Sequence, residues 1–479
     1  MFIDYVFINK SYELVNYKCP TYQAEEGSAL ITVLIISVII TILMGGIFGG
    51  IQLQRSFIQQ DIHAQEALYK AEAGIYEYLA TSPNLNRAPL SSFPFALRDS
   101  SEVQLRARVY GGFYHIRSTA FVHGKSRSIE VLVGQKAPDV FKYAVAIGDS
   151  TSSLKVTGKT KIRGDIRAGR QGMQEDSFKG FPFSGTIDGK VDIETSESLL
   201  PSFNLSSLNT QFDRIEKEFN DPLYRYTRMD SVQVLRWMQN GAENVLRTSG
   251  NLYVINKEEK EQPNRPLTLI VEGNLTLNGS FKFEPYTRII VSDTLLMGGS
   301  VEGKHLFVYA GKSLQVGGAM QASGQFLSRG PIRIRDNAYL EYPSLVYTEK
   351  EFGERENSNV IRIMGQATID GSIVYPIRAR GINQASLKVK LDAGAKVRGG
   401  IFSLGQTELQ GEVLGSVLTN QFYFYESPSA YINWLKDANI DITQRPAQYV
   451  VPIGFGAPKE IQYQVLDWKD VTPRERNSL

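Results

Sequence analysis

The sequence predicts an α+β chain: a long N-terminal helix with a small antiparallel sheet, then a mainly β body read as a β-solenoid with a helical insertion. Three observations predict it. They are an uncharged apolar run that continues into helix-compatible sequence, a group of alternating segments closed by glycine turns, and a glycine spacing that recurs through the body. A chain of 479 residues has room for two or three domains with cores of their own.

No charged residue occurs from Gly27 to Gln54. At about 1.5 Å per residue, a helix over this run crosses a hydrocarbon layer of about 30 Å. A buried core helix is the competing reading, but core helices seldom exceed about 14 purely apolar residues. A secretory signal peptide would have a shorter apolar region, ended by a small-residue cleavage site. Here the helical pattern runs on. There is no proline between Pro20 and Pro83, and Ile58, Ile62, Leu68, Ile75 and Leu79 recur at helical spacing. One helix is therefore expected over roughly residues 28–82, with Glu66 and Lys70 paired four apart on an exposed face. Gly45, Gly46, Gly49 and Gly50 each cost roughly 1 kcal/mol of helix stability in water. They are read either as close-packing positions or as a stretch able to unwind.

Residues 83–138 are read as an antiparallel β head. After a polar break over 83–101, segments 103–110, 113–122 and 126–133 alternate or are β-branched. Gly111-Gly112 and Gly124-Lys125 supply the turns of a three-stranded meander, and Pro138 ends it. Residues 139–420 carry two glycines separated by five residues at 158 and 164, 273 and 279, 365 and 371, 394 and 400, and 405 and 411. Short strands closed by glycine turns and stacked on one another are what a β-solenoid requires. A glycine-turned meander or sandwich is the alternative. The helical insertion, about 197–250, holds two stripes: Leu208, Phe212, Ile215 and Phe219, then Met229, Val232, Leu235 and Met238. Residues 421–479 are read as a C-terminal cap and tail. Their aromatics, Phe422, Tyr423, Phe424, Tyr425, Tyr431 and Trp434, serve either to close the end of the stack or as a carbohydrate platform.

Chemistry is sparse. Lysine plus arginine (52) balances aspartate plus glutamate (50), which gives no reason to expect a nucleic-acid partner. Cys19 is the only cysteine, so no disulfide forms within the chain. His63, His115, His123 and His305 include no ligand-spaced pair, and no metal or cofactor is expected. His115 and His123, eight apart on adjacent strands, are placed to meet across a hairpin. Gly317-Gly318 is a turn, because no lysine followed by serine or threonine completes a phosphate loop. Asp188, Asp192 and Asp370 are candidate carboxylates on the β wall. A polysaccharide-active enzyme would need such acids paired at roughly 5 to 10 Å. No catalytic residue is assigned, and the chain is expected not to be an enzyme.

Two segments resemble the type IV pilin superfamily, and specifically assembly proteins with a PilX-type N-terminus. One is Glu25-Glu26-Gly27-Ser28-Ala29-Leu30-Ile31-Thr32-Val33-Leu34. The other is Ala67-Leu68-Tyr69-Lys70-Ala71-Glu72-Ala73-Gly74-Ile75. The glycine-punctuated body is similar to bactofilin-like polymers. The resemblance implies that residues 1–27 are a prepilin-type leader, with Gly27 its last residue, read by a prepilin peptidase, and Ser28 the mature N-terminus. It also implies other pilin-like subunits as partners and methylation of the new N-terminus. The single-pass helix would sit in lipid of a bacterial inner membrane before assembly, with the body on a pilus or cell surface afterwards. Thr32 stands at the fifth mature position, where major pilins commonly carry a glutamate. That departure favours a minor or tip-located subunit. The alternative is a surface adhesin whose solenoid binds a glycan or protein ligand, with a polysaccharide-active enzyme third.

Overall fold

The computed structural model describes residues 28–82, 85, 91–194, 200–220, 226–240, 243–257, 265–348, 360–377, 387–456 and 461–471. Gly27 and the leader lie outside the described residues. The chain divides into two compact units, residues 1–65 and 66–479.

In the first unit a single helix begins. Helix α1 runs unbroken over Ser28–Thr81, through all four junction glycines. Its leading part is long and apolar enough to cross a membrane, and Leu30, Ile31, Val33, Leu34, Ile42 and Ile47 are exposed around its whole circumference. Ser37 and Thr41 donate their hydroxyls to the carbonyls of Leu34 and Ser37, at 2.8 and 2.7 Å. Neither hydroxyl therefore needs water, which suits a helix in hydrocarbon.

The second unit opens with the last four turns of α1, packed on an antiparallel sheet. The sheet comprises β1 (Phe93–Ala96), β2 (Glu102–Tyr110), β3 (Phe113–Val122) and β4 (Lys125–Lys136), joined in order. Val103 faces Ala120, and Tyr114 faces Val133. Alternation along β2 sends Val103, Leu105 and Ala107 into a core shared with Ala67, Ala71, Ile75 and Tyr78. Of the stripe expected from large residues, Ile75 is fully buried in that core. Ile62 is exposed, and Leu68 and Leu79 are only half-buried. Small residues take the closest contact, because they let the helix approach the sheet. Two segments read from sequence as cap and tail, Val450–Val451 and Tyr463–Asp470, pair antiparallel with β4 and widen this sheet.

The β body is built from parallel pairs in which each strand lies on the strand one repeat later. Thr268–Glu272 pairs with Arg288–Val291, which pairs with Ser300–Ala310, and so on through Gln321–Ser328, Tyr339–Thr348, Thr368–Tyr375, Lys396–Leu409 and Glu412–Glu426. Val145–Ile147 then stacks on Glu412–Glu426, so the first strand of the body follows its last long one in space. Register aligns Ile270, Ile290, Tyr309, Leu327, Tyr347, Val374, Phe402, Leu418 and Ala146 in one column. Their sequence neighbours, Leu269, Ile289, Val308, Phe326 and Val346 among them, fill a second core on the opposite face. Both faces are buried, which is why these strands read as continuous apolar runs rather than alternating ones.

Two helices cover the body. α2 (Ser206–Asn220) buries Leu208, Phe212 and Ile215, the stripe expected from sequence. α3 (Ser231–Asn240) buries Val234 and Met238 while Val232 is exposed, so its buried face is rotated from the expected one. The difference follows from Met238 sharing a face with the residue four before it, which places Val234 inward.

Candidate functional site

Two places in the structure bear on function: the packing surface of α1 in the second unit, and a buried histidine cluster within that unit.

Ala67, Ala71, Gly74 and Ile75 form one ridge of α1, and all four are buried against the sheet. Gly74 faces Val103 and Ser118; a Cβ at 74 would stand 2.7 Å from Val103 Cγ2 and 3.0 Å from Ser118 Oγ. The segment spanning Ala67 to Ile75 is thus a close-packing surface, and its small residues are spaced for that. Lys70 and Glu66 pair at 3.0 Å on the accessible side. Of the two processing residues expected from sequence, Gly27 is outside the described residues and Ser28 is the first residue of α1.

The histidines do not meet as expected. His123 sits in the β3–β4 turn with φ of +44°, and His115 lies opposite Leu132, with Glu130 beside it at 3.4 Å. His115 approaches a different histidine. Tyr286 lies between them, its ring 4.8 Å from that of His115 and stacked at 5.2 Å on that of His305. His305 Nε2 is 2.7 Å from Asp467 Oδ2, and Tyr110 donates its hydroxyl to the His305 carbonyl at 2.6 Å. The cluster joins β2, β3, the parallel body and the C-terminal strand Tyr463–Asp470. Its closeness depends on residues almost 200 positions apart, which no local pattern reveals.

Burial lowers the His115 pKa, and the Glu130 carboxylate 3.4 Å away opposes that only in part. Burial would raise the Glu130 carboxyl, but His115, Arg117 and Arg108 hold it below its ordinary value. The hydrogen bond from His305 holds Asp467 below the usual carboxylate range against its desolvation. The Tyr286 hydroxyl and His305 Nδ1 are buried with no hydrogen-bond partner among the described residues. Tyr286 and His305 also occupy the left-handed backbone region, with φ of +67° and +51°. No group of three metal-ligating side chains exists among the described residues.

The three candidate carboxylates are engaged by cations or hydroxyls. Asp370 pairs with Arg398 at 2.6 Å and accepts from the Tyr339 hydroxyl at 2.7 Å. Asp188 is 3.6 Å from Arg163, and Asp192 accepts from the Tyr143 hydroxyl at 2.8 Å. Phe424, Tyr431 and Trp434 pack on one another and around Phe178, while Tyr425 is exposed. Phe178 meets Phe424, Tyr431 and Trp434 at centroid distances of 5.4, 5.2 and 5.9 Å. Lys436 lies over Phe178 and Phe424.

No family model matches the chain, and no curated protein matches it. Among solved structures, the competence-associated pilin ComZ from Thermus thermophilus aligns over 86% of this chain and 97% of its own. The identity is 11% and the TM-score 0.20, a superposition too loose to establish a shared architecture.

Proposed function

We propose that this chain is a minor or tip-located pilin-like subunit of PilX type, held in a membrane by α1 and taking part in filament assembly or surface display. The observation that carries the reading is α1 itself: one unbroken helix, apolar on every side at first, then packed on a sheet through Ala67, Ala71 and Gly74. A signal anchor needs only the first property, and a core helix needs only the second. In this reading a prepilin peptidase cuts after Gly27, and the chain passes from a bacterial inner membrane to a pilus. The in-register parallel stack is read as a β-solenoid that displays the surface presented outside. The role is structural rather than enzymatic in this reading; Asp370, the one buried acid of the three candidates, is held by Arg398 and the Tyr339 hydroxyl. Mass spectrometry of the N-terminus, from membrane and sheared-surface fractions, tests the reading. A start at Ser28 is expected. An intact Met1 in cells with active prepilin peptidase would make the chain an uncleaved, membrane-tethered β protein instead.

A further inference from the structure

Four arginines from three elements line one pocket of about 460 Å³: Arg106 and Arg108 of β2, Arg214 of α2, and Arg288 at the start of Arg288–Val291. Alternation on β2 places Arg106 and Arg108 on the face opposite the one packed under α1. On α2, Ser206, Thr210, Arg214 and Glu218 recur every four residues and share the pocket-lining face. Gln211 fixes the helix there. Its amide oxygen accepts from the Gly111 N–H at 2.9 Å, and its amide nitrogen donates to the Gly111 carbonyl at 2.9 Å.

These arginines share the lack of a direct ion pair, although Glu130 acts electrostatically on Arg108 and Glu218 lines the same pocket. Elsewhere in the body the pattern is pairing: Arg167 with Glu194, Arg329 with Glu216, Arg362 with Asp392 and Arg398 with Asp370, all within 2.8 Å. None of the four pocket arginines makes an ion pair with a described residue. Glu218 is the one acid in the lining, and its Oε2 has no hydrogen-bond partner among the described residues. Arg106 stands in register with Arg117 on β3, a like-charge cross-strand pair that Glu130, 3.7 Å from Arg117, offsets in part. Burial lowers the Arg108 pKa; Tyr110 and Glu130 oppose this, while Arg288 and Arg106 act in the same direction as burial. Four guanidiniums that share a concave site with a single carboxylate, Glu218, carry an excess of positive charge and are poised for an anion, which they bind with paired N–H donors.

The rest of the lining narrows the ligand. Arg288 lies over the Phe307 ring at 5.2 Å, which orients its fork. Phe307, Val109 and Tyr110 give the pocket an apolar wall, and Ser206 and Thr210 add hydroxyls. A bare inorganic ion would use the charge and leave that wall and volume empty. We propose that this pocket binds a sugar-sized ligand bearing a phosphate or carboxylate, held by Arg106, Arg108, Arg214 and Arg288. The site is independent of the pilin reading, since it requires neither membrane nor filament.

Calorimetric titration of the detergent-solubilised full chain tests this, using glucose 6-phosphate, glucuronate, inorganic phosphate and neutral methyl glucoside as probes. Saturable binding of at least one of the two acidic sugars is expected, and none of the neutral one. Which acidic sugar binds identifies the anionic group. Arg108→Gln and Arg288→Gln should each weaken binding about tenfold to a hundredfold, while Arg333→Gln, on an exposed strand position of the body, leaves it unchanged. Arg214→Gln on the accessible side of α2 provides a third variant should either of the first two misfold. No saturable binding of either acidic sugar, or affinity unchanged in all three variants, overturns the proposal. Inorganic phosphate binding as tightly as both acidic sugars would overturn the sugar-sized part of it.

Discussion

Gly74 lies so close to Val103 that a Cβ at position 74 would stand 2.7 Å from a γ-methyl of that β-branched side chain. Helix propensity favours Gly74→Ala by about 1 kcal/mol. Overpacking opposes it by roughly 1–3 kcal/mol, so the alanine variant should be neutral to mildly destabilised. Gly74→Val adds bulk and loses propensity, and should cost more than about 3 kcal/mol in chemical denaturation. Combining it with Val103→Ala should recover part of that loss. Strictly additive effects in the double variant would show that the two residues do not share the contact.

A second close approach governs the parallel body. Gly371, Gly399 and Gly415 are in register on successive strands, each with φ between +142° and +157°. A Cβ at Gly399 would overlap the Gly371 carbonyl, and one at Gly415 would overlap the Gly399 carbonyl. Neither conformation nor space admits a side chain. Gly399→Ala should therefore cost at least about 3 kcal/mol. Gly124→Ala, in an open turn with φ of +80°, should cost only the backbone strain, about 1 kcal/mol. Equal thermal shifts for the two variants would contradict the stacked-glycine account.

The buried His115 predicts a pH dependence with a definite sign. Its folded-state pKa is below 6.5, so as pH falls below about 6.5 the unfolded chain takes up a proton the folded chain resists. Stability should decline across that interval. Asp467 acts in a different window: its folded pKa is depressed below 3.8, so its contribution is intact above that pH and is lost as pH falls through the folded value. Urea midpoints at about pH 7.5 and about pH 5.5 isolate the histidine effect. His115→Gln should flatten the slope between them, whatever it does to stability at either pH. A slope identical to wild type would assign the dependence to another group.

Local pattern made much of this structure legible, and long-range closure did not. The extent of α1 followed from the missing prolines and the apolar run, and β2, β3 and β4 from alternation around Gly111-Gly112 and Gly124-Lys125. The glycine spacing marked real corners: Gly279 and Gly371 both stand against the backbone of the preceding repeat. In the 394–400 copy, however, the stacked residue is Gly399, because register with Gly371 sets the corner. Of the α1 stripe, Ile75 is buried and Leu68 and Leu79 pack on the core, whereas Ile58 and Ile62 are exposed and the smaller Ala67 and Ala71 take the closest contact. The strand Tyr463–Asp470, the His115–Tyr286–His305 cluster and the arginine pocket all join segments far apart in sequence. A signal for the pocket did exist: Arg106 and Arg108 alternate on a face that ordinary strand chemistry would not load with like charges.

The apolar part of α1 offers the most direct test of anchoring. Ile36 and Ile40 are one turn apart and about half exposed among the described residues. A lysine near the centre of a membrane-spanning helix costs about 2.5–3.5 kcal/mol, and two on one face leave little room for snorkelling. Ile36→Lys combined with Ile40→Lys should release the chain from membranes into the alkaline-carbonate supernatant. Tyr69→Lys, more exposed still but on the part of α1 that packs against the sheet, should leave it in the pellet. If the doubly charged chain stays membrane-bound, α1 is not the anchor, and attachment must come from the β body or a partner.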